Sequence, residues 1–375
     1  MQSFYFDYNA TTPIAAAVLE VYSEALRNGF GNASSIHFMG QAAKQALESA
    51  RKQVARRIGC DPKELVFNSG GTESDNHAIS GATRGVDRPH IITSSIEHPA
   101  VLNTVSRAVD VTIVPVSSDG LVDPDDVRRA IRPESRLISI MHVNNEIGSI
   151  QPIAEIARIA REHGVCMHSD GVQAAGRIDV DVKALGVDLY SISAHKMQGP
   201  KGVGALYVRK GYDLPPVFYG GRHEAGRRAG TENTPAIVAM GAAAELAAPD
   251  IAGLRDQLEQ GILERVPQTR VNAASRHRAP NTTNICFEGI EGESMVIALD
   301  LRGFCVSSGS ACSSGAVEPS HVLLALGMSK EQAKSSVRFS LGAGNTLEQV
   351  DRLIDAVEKS ASHLRRLSPT YEAHV

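Results

Sequence analysis

Between residues 64 and 208, short apolar runs alternate with helix-patterned stretches, and that alternation restricts the fold more than any other feature. The runs at 64–68, 90–94, 137–143, 165–168, 189–193 and 204–208 have the length and composition of strands. The run at 137–143 is almost continuously apolar, as a strand buried on both faces should be. Helices are expected from near Glu73, from Pro99, from Pro124 with Asp123 as cap, and over 152–163 before Gly164. Strands separated by helices imply a mainly parallel sheet covered on both faces. Upstream, the pattern predicts a helix over 13–29, with Thr12 as cap, Pro13 in the first position and Gly29 at the end. A second helix is expected over 37–58, closed by Gly59. The alternation fades after Gly211. Helices at 236–248 and 251–266 follow, then a stretch with α+β character. At 375 residues the chain exceeds the size of one ordinary core. The expected organisation is α/β, with a large domain at 14–255 and a small α+β domain made from 1–13 and 256–375.

Composition narrows the function. A net charge of −4 and a pI near 6.4 carry no basic footprint, so direct nucleic-acid binding is not expected. No apolar run approaches the roughly 18 residues of a membrane span. Residues 1–7 lack a basic region followed by an apolar one, so no secretory signal is expected and the reading is cytoplasmic. The five cysteines, at 60, 166, 286, 305 and 312, are odd in number and include no CxxC pair. Neither a disulfide framework nor a zinc site is expected from them, and most should be small buried hydrophobes.

Six segments carry chemistry. In SAHKMQGPKGVG at 193–204, Lys196 follows a buried strand beside His195 and a Gly/Pro turn. A lysine amine forms Schiff bases once desolvation suppresses its charge, although most loop lysines are simply exposed. Asp170, in HSDGVQ at 168–173, ends another apolar strand. A carboxylate there can keep a pyridine nitrogen protonated, or it can merely cap a helix. In SGGTE at 69–73, Gly70 and Gly71 let backbone N–H groups and the Thr72 hydroxyl approach a phosphate at a helix N-terminus; a plain tight turn is the alternative. His98, in IEHP at 96–99, can stack on a flat ring and move protons, or be structural. All four segments follow strands, where an open parallel sheet places its ligands. The fifth, VSSGSACSSG at 306–315, sets the Cys312 thiol among small polar residues, which gives it the access that reactivity requires. Arg338, flanked by apolar residues in SVRFSLG at 336–342, suits a two-contact clamp on a carboxylate, or an ordinary salt bridge.

These segments, together with DYNATTP at 7–13, GNASSIH at 31–37, VNNEIG at 143–148 and AGTEN at 229–233, resemble the cysteine desulfurases. These are class V aminotransferase-family enzymes that use pyridoxal 5′-phosphate. The resemblance runs from about Phe4 to Gly342. The loop around Cys312, continuing into EPSH at 318–321, is similar to group I (NifS/IscS-like), which has the longer cysteine loop and serves iron–sulfur assembly. The chain departs from the family pattern at Gly220-Gly221-Arg222 and at Ala343-Gly344-Asn345.

The resemblance implies a fold-type-I pyridoxal-phosphate transferase acting as a homodimer. By motif, Lys196 would carry the cofactor, Asp170 would pair with its ring nitrogen, Gln173 would contact its ring hydroxyl and His98 would stack on it. Gly71, Thr72, Ser193 and His195 would form the phosphate site, with Thr231 reaching in from the second subunit. Asn145 and Arg338 would hold the carboxylate of L-cysteine. Cys312 would take the substrate sulfur as a persulfide, leave alanine and pass the sulfur to an acceptor protein, with Lys196 and His98 moving protons. The pathway served can be iron–sulfur assembly, tRNA thiolation or DNA phosphorothioation. Selenocysteine is open as a further substrate. Two other readings use the same fold: an aminotransferase or β-lyase, which leaves Cys312 without a task, and a non-catalytic sulfur-relay scaffold.

Overall fold

The computed structural model describes residues 3–108, 110–274, 276–308 and 318–367. A short first strand, β1 (Phe4–Tyr5), lies outside the central sheet. That sheet contains β2 (Leu65–Asn68), β3 (His90–Ser94), β4 (Asp110–Val114), β5 (Ser135–Ser139), β6 (Cys166–Asp170), β7 (Leu189–Ser193) and β8 (Gly204–Val208). Their spatial order is β2-β8-β7-β6-β5-β3-β4. The β3–β4, β3–β5, β5–β6 and β6–β7 pairings are parallel, while β8 runs against both its neighbours. The sheet is therefore mainly parallel with one reversed strand, and two reversals leave β2 pointing the same way as β7.

Successive side chains on a pleated strand point to opposite faces, so a strand buried on both sides needs apolar residues in both registers. The neighbours Val66 and Phe67, Ile91 and Ile92, Leu137 and Ile138, and Leu189 and Tyr190 each divide between two separate cores. The helices covering these faces are α1 (Ala16–Asn28), α2 (Phe38–Arg57), α3 (Gly71–Ala82), α4 (Pro99–Val105), α5 (Pro124–Ala130), α6 (Ile153–Glu162), α7 (Val182–Leu185) and α8 (Thr234–Ala244). One core takes Ala78 and Ile79 from α3 and Val101 and Val105 from α4; the other takes Leu47 and Val54 from α2, Ile156 from α6 and Met240 from α8. Each fully buried Val, Leu or Ile contributes about 1.5–3 kcal/mol of transfer free energy.

The rest of the chain packs around a second sheet. Its elements are α9 (Ala252–Arg265), β9 (Thr269–Val271), β10 (Thr282–Phe287), α10 (Gly292–Asp300), β11 (Phe304–Cys305), β12 (Ser307–Ser308), α11 (His321–Ala325), α12 (Lys330–Lys334), β13 (Ser336–Ser340) and α13 (Leu347–Leu367). The antiparallel order is β12-β13-β10-β9, and β1 pairs in parallel with β11. A third core joins Phe4 and Phe6 to Ile285, Phe287, Phe339, Leu299, Leu353 and Val357. Among the described residues no helix is long and apolar enough to cross a membrane.

Three local expectations need correcting. The first helix begins at Ala16, and Thr12 does not cap it. The Thr12 hydroxyl instead donates to the His195 carbonyl at 2.9 Å and accepts from the Gln198 N–H at 2.9 Å. The strand expected over 137–143 is β5, which ends at Ser139. Beyond it the chain turns where the Asn144 side chain accepts from the N–H groups of Glu146 and Ile147, an Asx-type turn. The alanine-rich helix ends at Ala244, short of the expected residue 248.

Candidate active site

The carboxyl ends of β2, β3, β6 and β7 lie on one side of the sheet, and each delivers one of the chemistry-bearing segments. After β7 the chain makes a 3-10 turn, Ala194–Lys196. The Lys196 Nζ donates to the carbonyls of Asn9 at 2.5 Å and Ala10 at 2.8 Å. Burial, then the positive Arg177 and Arg338, push its pKa down to about 7, with Asp170 and Asp7 opposing. Lys196 therefore offers a free amine near neutral pH.

Asp170, at the end of β6, is buried, and its Oδ1 accepts from the Val172 N–H at 2.9 Å. Burial raises its pKa, while His98, the Val172 N–H and Lys196 act against that rise. Three positions on, the Gln173 Nε2 donates to the Asn9 carbonyl at 2.9 Å. The buried Gln173 Oε1 has no hydrogen-bond partner among the described residues. His98 caps α4, its Nδ1 accepting from the Ala100 N–H at 3.1 Å, so the proton of its neutral ring sits on Nε2. Although the ring has an exposed edge, desolvation lowers its pKa; Asp170 pulls upward, and Lys196 and His321 push further down.

The glycine loop after β2 backs onto β7. Gly70 has φ +146°, a conformation L side chains rarely adopt, and a Cβ built there would stand 3.7 Å from the Ser193 Oγ. A Cβ on Gly71 would meet the Val172 Cγ2 at 2.6 Å, so the start of α3 lies tight against the turn after Asp170. Thr72 is exposed on the first turn of α3, where helix N–H groups lack intrahelical acceptors. The His195 Nδ1 bonds the Thr11 Oγ1 at 3.1 Å, and burial, Lys196, Lys201 and Arg177 hold this imidazole neutral, at about 4.

On the second sheet, Arg338 of β13 spreads its fork between the Asn145 carbonyl, 3.1 Å from Nη1, and the Asp7 Oδ1, 2.6 Å from Nη2. Its buried Nε has no partner among the described residues. Thr231 is not in this group. It lines a separate cleft of about 240 Å³ with Asn68, Ser69, Gly202 and Arg228. Cys312 lies outside the described residues.

Sequence reasoning missed Asn9, although it lies within the segment 7–13. Its carbonyl meets both Lys196 and Gln173, and its side chain reaches Thr282 of β10. Arg177, buried and bonded to the carbonyls of Gln173 and Tyr8, was also missed. Nothing in its local sequence distinguishes it from a surface arginine.

These residues fit pyridoxal phosphate. A deprotonatable amine, a buried carboxylate, an orphaned amide oxygen and a glycine loop at a helix start match, in turn, an aldehyde, a ring nitrogen, a ring hydroxyl and a phosphate. Among the described residues no cluster of His, Cys, Asp or Glu could hold a metal ion.

Comparison with known proteins extends the likeness to the whole chain. The Aminotransferase class-V family model matches residues 4–353. A cysteine desulfurase IscS from Methanosarcina thermophila is 47% identical over 382 aligned positions, covering 98% of this chain and 94% of the relative. The solved structure of a NifS-like protein superposes with a TM-score of 0.90 at 35% identity, covering 96% of this chain and all 100% of that one. SspA in complex with cysteine superposes with a TM-score of 0.83 at 38% identity, over 91% of this chain and 99% of that one.

Proposed function

Because the chain belongs to the class-V aminotransferase family and is a cysteine desulfurase, we propose that Lys196 carries its pyridoxal phosphate and Cys312 receives the sulfur of L-cysteine. Pyridoxal phosphate, when bound, supplies an aldehyde for amines and a ring that accepts electrons from the substrate Cα. The observation carrying the assignment is the Lys196 amine, desolvated between two carbonyls and held near a pKa of 7. Such an amine can bind the aldehyde and, once displaced by substrate, take the Cα proton.

Asp170 would hold the ring nitrogen protonated, the free Gln173 Oε1 would accept from the ring hydroxyl, and His98 would stack on the ring. The neutral His98 carries its mobile proton on Nε2, suiting it to shuttle protons between the substrate and Cys312 sulfurs. Gly71, Thr72, Ser193 and His195 bind the phosphate. Arg338 and Asn145 hold the substrate carboxylate; the Arg338 fork is already fixed by Asp7 and the Asn145 carbonyl, so little order is lost on binding.

The protein works as a homodimer, with Thr231 completing the phosphate site of the second subunit. The exposed Ile36 and Phe38, which line a cleft with Glu232 next to Thr231, support a protein contact there. Residues 14–255 then form the cofactor-binding domain, and 1–13 with 256–375 the domain that brings in Cys312. The sulfur passes to an acceptor protein, for iron–sulfur assembly, tRNA thiolation or DNA phosphorothioation. The net negative charge favours a protein over a nucleic acid as direct acceptor. A cytoplasmic setting is supported by the described cysteines, all free thiols.

The test quantifies alanine and sulfide from cofactor-loaded protein given L-cysteine and a thiol reductant, with Cys312→Ala alongside. Equal amounts of both products are expected, lost in the variant. A variant that retains full sulfide release overturns the role of Cys312, and keto-acid formation would point to transamination.

A further inference from the structure

Behind Asp170 lies a second carboxyl for which the chemistry above has no use. Asp75, on α3, is 1% exposed. The Ser191 side chain hydrogen-bonds its carboxyl, and Ser191 stands opposite Asp170 in the β6–β7 register. The two acids therefore share a buried corner. The Asp75 Oδ1 has no hydrogen-bond partner among the described residues. The nearest basic group is the His168 Nε2 at 3.6 Å, too far for a hydrogen bond. Both His168 nitrogens are taken, by Ser139 at 2.8 Å and Ser191 at 3.0 Å, and burial drives its pKa down to about 3, so it brings no positive charge.

The titratable groups facing Asp75 are thus Asp170 and His168 from β6, and Glu97 from the turn after β3. None of them is a cation. Asp170, by contrast, accepts the Val172 N–H on its Oδ1 at 2.9 Å, a donor that favours its ionised form. Two neighbouring buried carboxyls do not both ionise, and the one with an oxygen that no donor reaches keeps the proton. We infer that Asp75 is a positioning residue that holds the single proton of this pair, staying neutral so that Asp170 stands ionised against the cofactor ring nitrogen. The inference rests on the ring-facing role proposed for Asp170.

The experiment is isotope-edited infrared spectroscopy of the cofactor-loaded enzyme with labelled aspartate carboxyls, so that the buried Glu97 is silent. A protonated-aspartate band near neutral pH is expected in the native protein and should vanish in Asp75→Asn. Nitrogen magnetic resonance of ring-labelled cofactor should meanwhile show the same ring protonation in that variant, because an amide replaces an already neutral acid. Absence of the band from the native protein overturns the proposal whether or not the variant folds. So does a band that persists in Asp75→Asn, or a ring nitrogen that loses its proton there. Failure of the premise has a different signature: Asp170→Asn with unchanged ring protonation would show that Asp170 does not face the ring nitrogen.

Discussion

At the scale of single residues, chemistry here follows from how much water each charge has lost. Lys196 is the clearest case. Its pKa falls from an ordinary 10.5 to about 7 on folding, so between these values the unfolded chain binds more protons than the folded one. Stability of the cofactor-free protein therefore rises with pH across that window. Lys196→Met removes this penalty. The stability difference, Met variant minus native, should be greatest below about pH 7 and shrink as pH climbs toward about 10.5. Urea midpoints of the two cofactor-free proteins at several pH values check this, and a difference that grows with pH would contradict a desolvated lysine. Lys196, Asp170 and His98 could be picked out as candidates in the sequence because each lies at the end of, or within a few residues after, an apolar run with the length of a buried strand. Asn9, Asp75 and Arg177 were not, because their neighbours come from segments far away in the chain. Asp75 in particular looks like any acid on a helix until β6 is packed behind it.

At the scale of elements, the glycine loop is where two secondary structures are brought closer than side chains allow. Gly71 opens α3 against Val172, whose N–H in turn holds the Asp170 carboxylate. Gly71→Ala drives a Cβ to 2.6 Å from the Val172 Cγ2, so either α3 or the turn after β6 must shift. Such overpacking costs about 1–3 kcal/mol, and part of it falls on the geometry of the cofactor site. Roughly tenfold weaker cofactor affinity is expected, one factor of ten per ~1.4 kcal/mol. Adding Val172→Ala should recover most of the loss. Cofactor titrations of the single and double variants decide the matter, and a Gly71→Ala protein with native affinity would show that this close approach has no role in the site. Six of the seven central strands could be read because both their faces are apolar, whereas β4, a part-exposed edge strand, was not among those expected. Where β5 stops could not, because apolar residues continue to Val143 while the backbone is turned by the Asn144 side chain. The small antiparallel sheet was read only as α+β, since its outer strands β9 and β12 have three and two residues and no resolvable period.

At the scale of the molecule, the two sheets are joined through the N-terminal segment, and Asn9 is the joint. Its backbone N–H donates to the Ser340 hydroxyl of β13 at 3.0 Å, and its Nδ2 donates to Thr282 of β10 at 2.8 Å and to the Asn145 carbonyl at 3.0 Å. Its Oδ1 accepts from the Asn281 Nδ2 at 2.9 Å, while its carbonyl receives both Lys196 and Gln173 from the large sheet. Asn9 is buried, so Asn9→Ala takes one hydrogen bond each from Thr282, Asn281 and the Asn145 carbonyl, which keep Asn281, the Leu341 carbonyl and Arg338 respectively. Each hydrogen bond lost costs about 0.5–1.5 kcal/mol. A loss on the order of 3 kcal/mol is expected, allowing for water entering the gap. The same change loosens the segment that presents carbonyls to the Lys196 amine and, through the Asn145 carbonyl, one contact of the Arg338 fork. Stability and cofactor affinity should therefore fall together, whereas a defect confined to the small sheet would lower only the first. Urea unfolding followed in parallel by tyrosine fluorescence and by cofactor absorbance separates the two cases. If Asn9→Ala unfolds at the native midpoint, or weakens one half of the molecule and leaves the other untouched, the two sheets are coupled through some other contact.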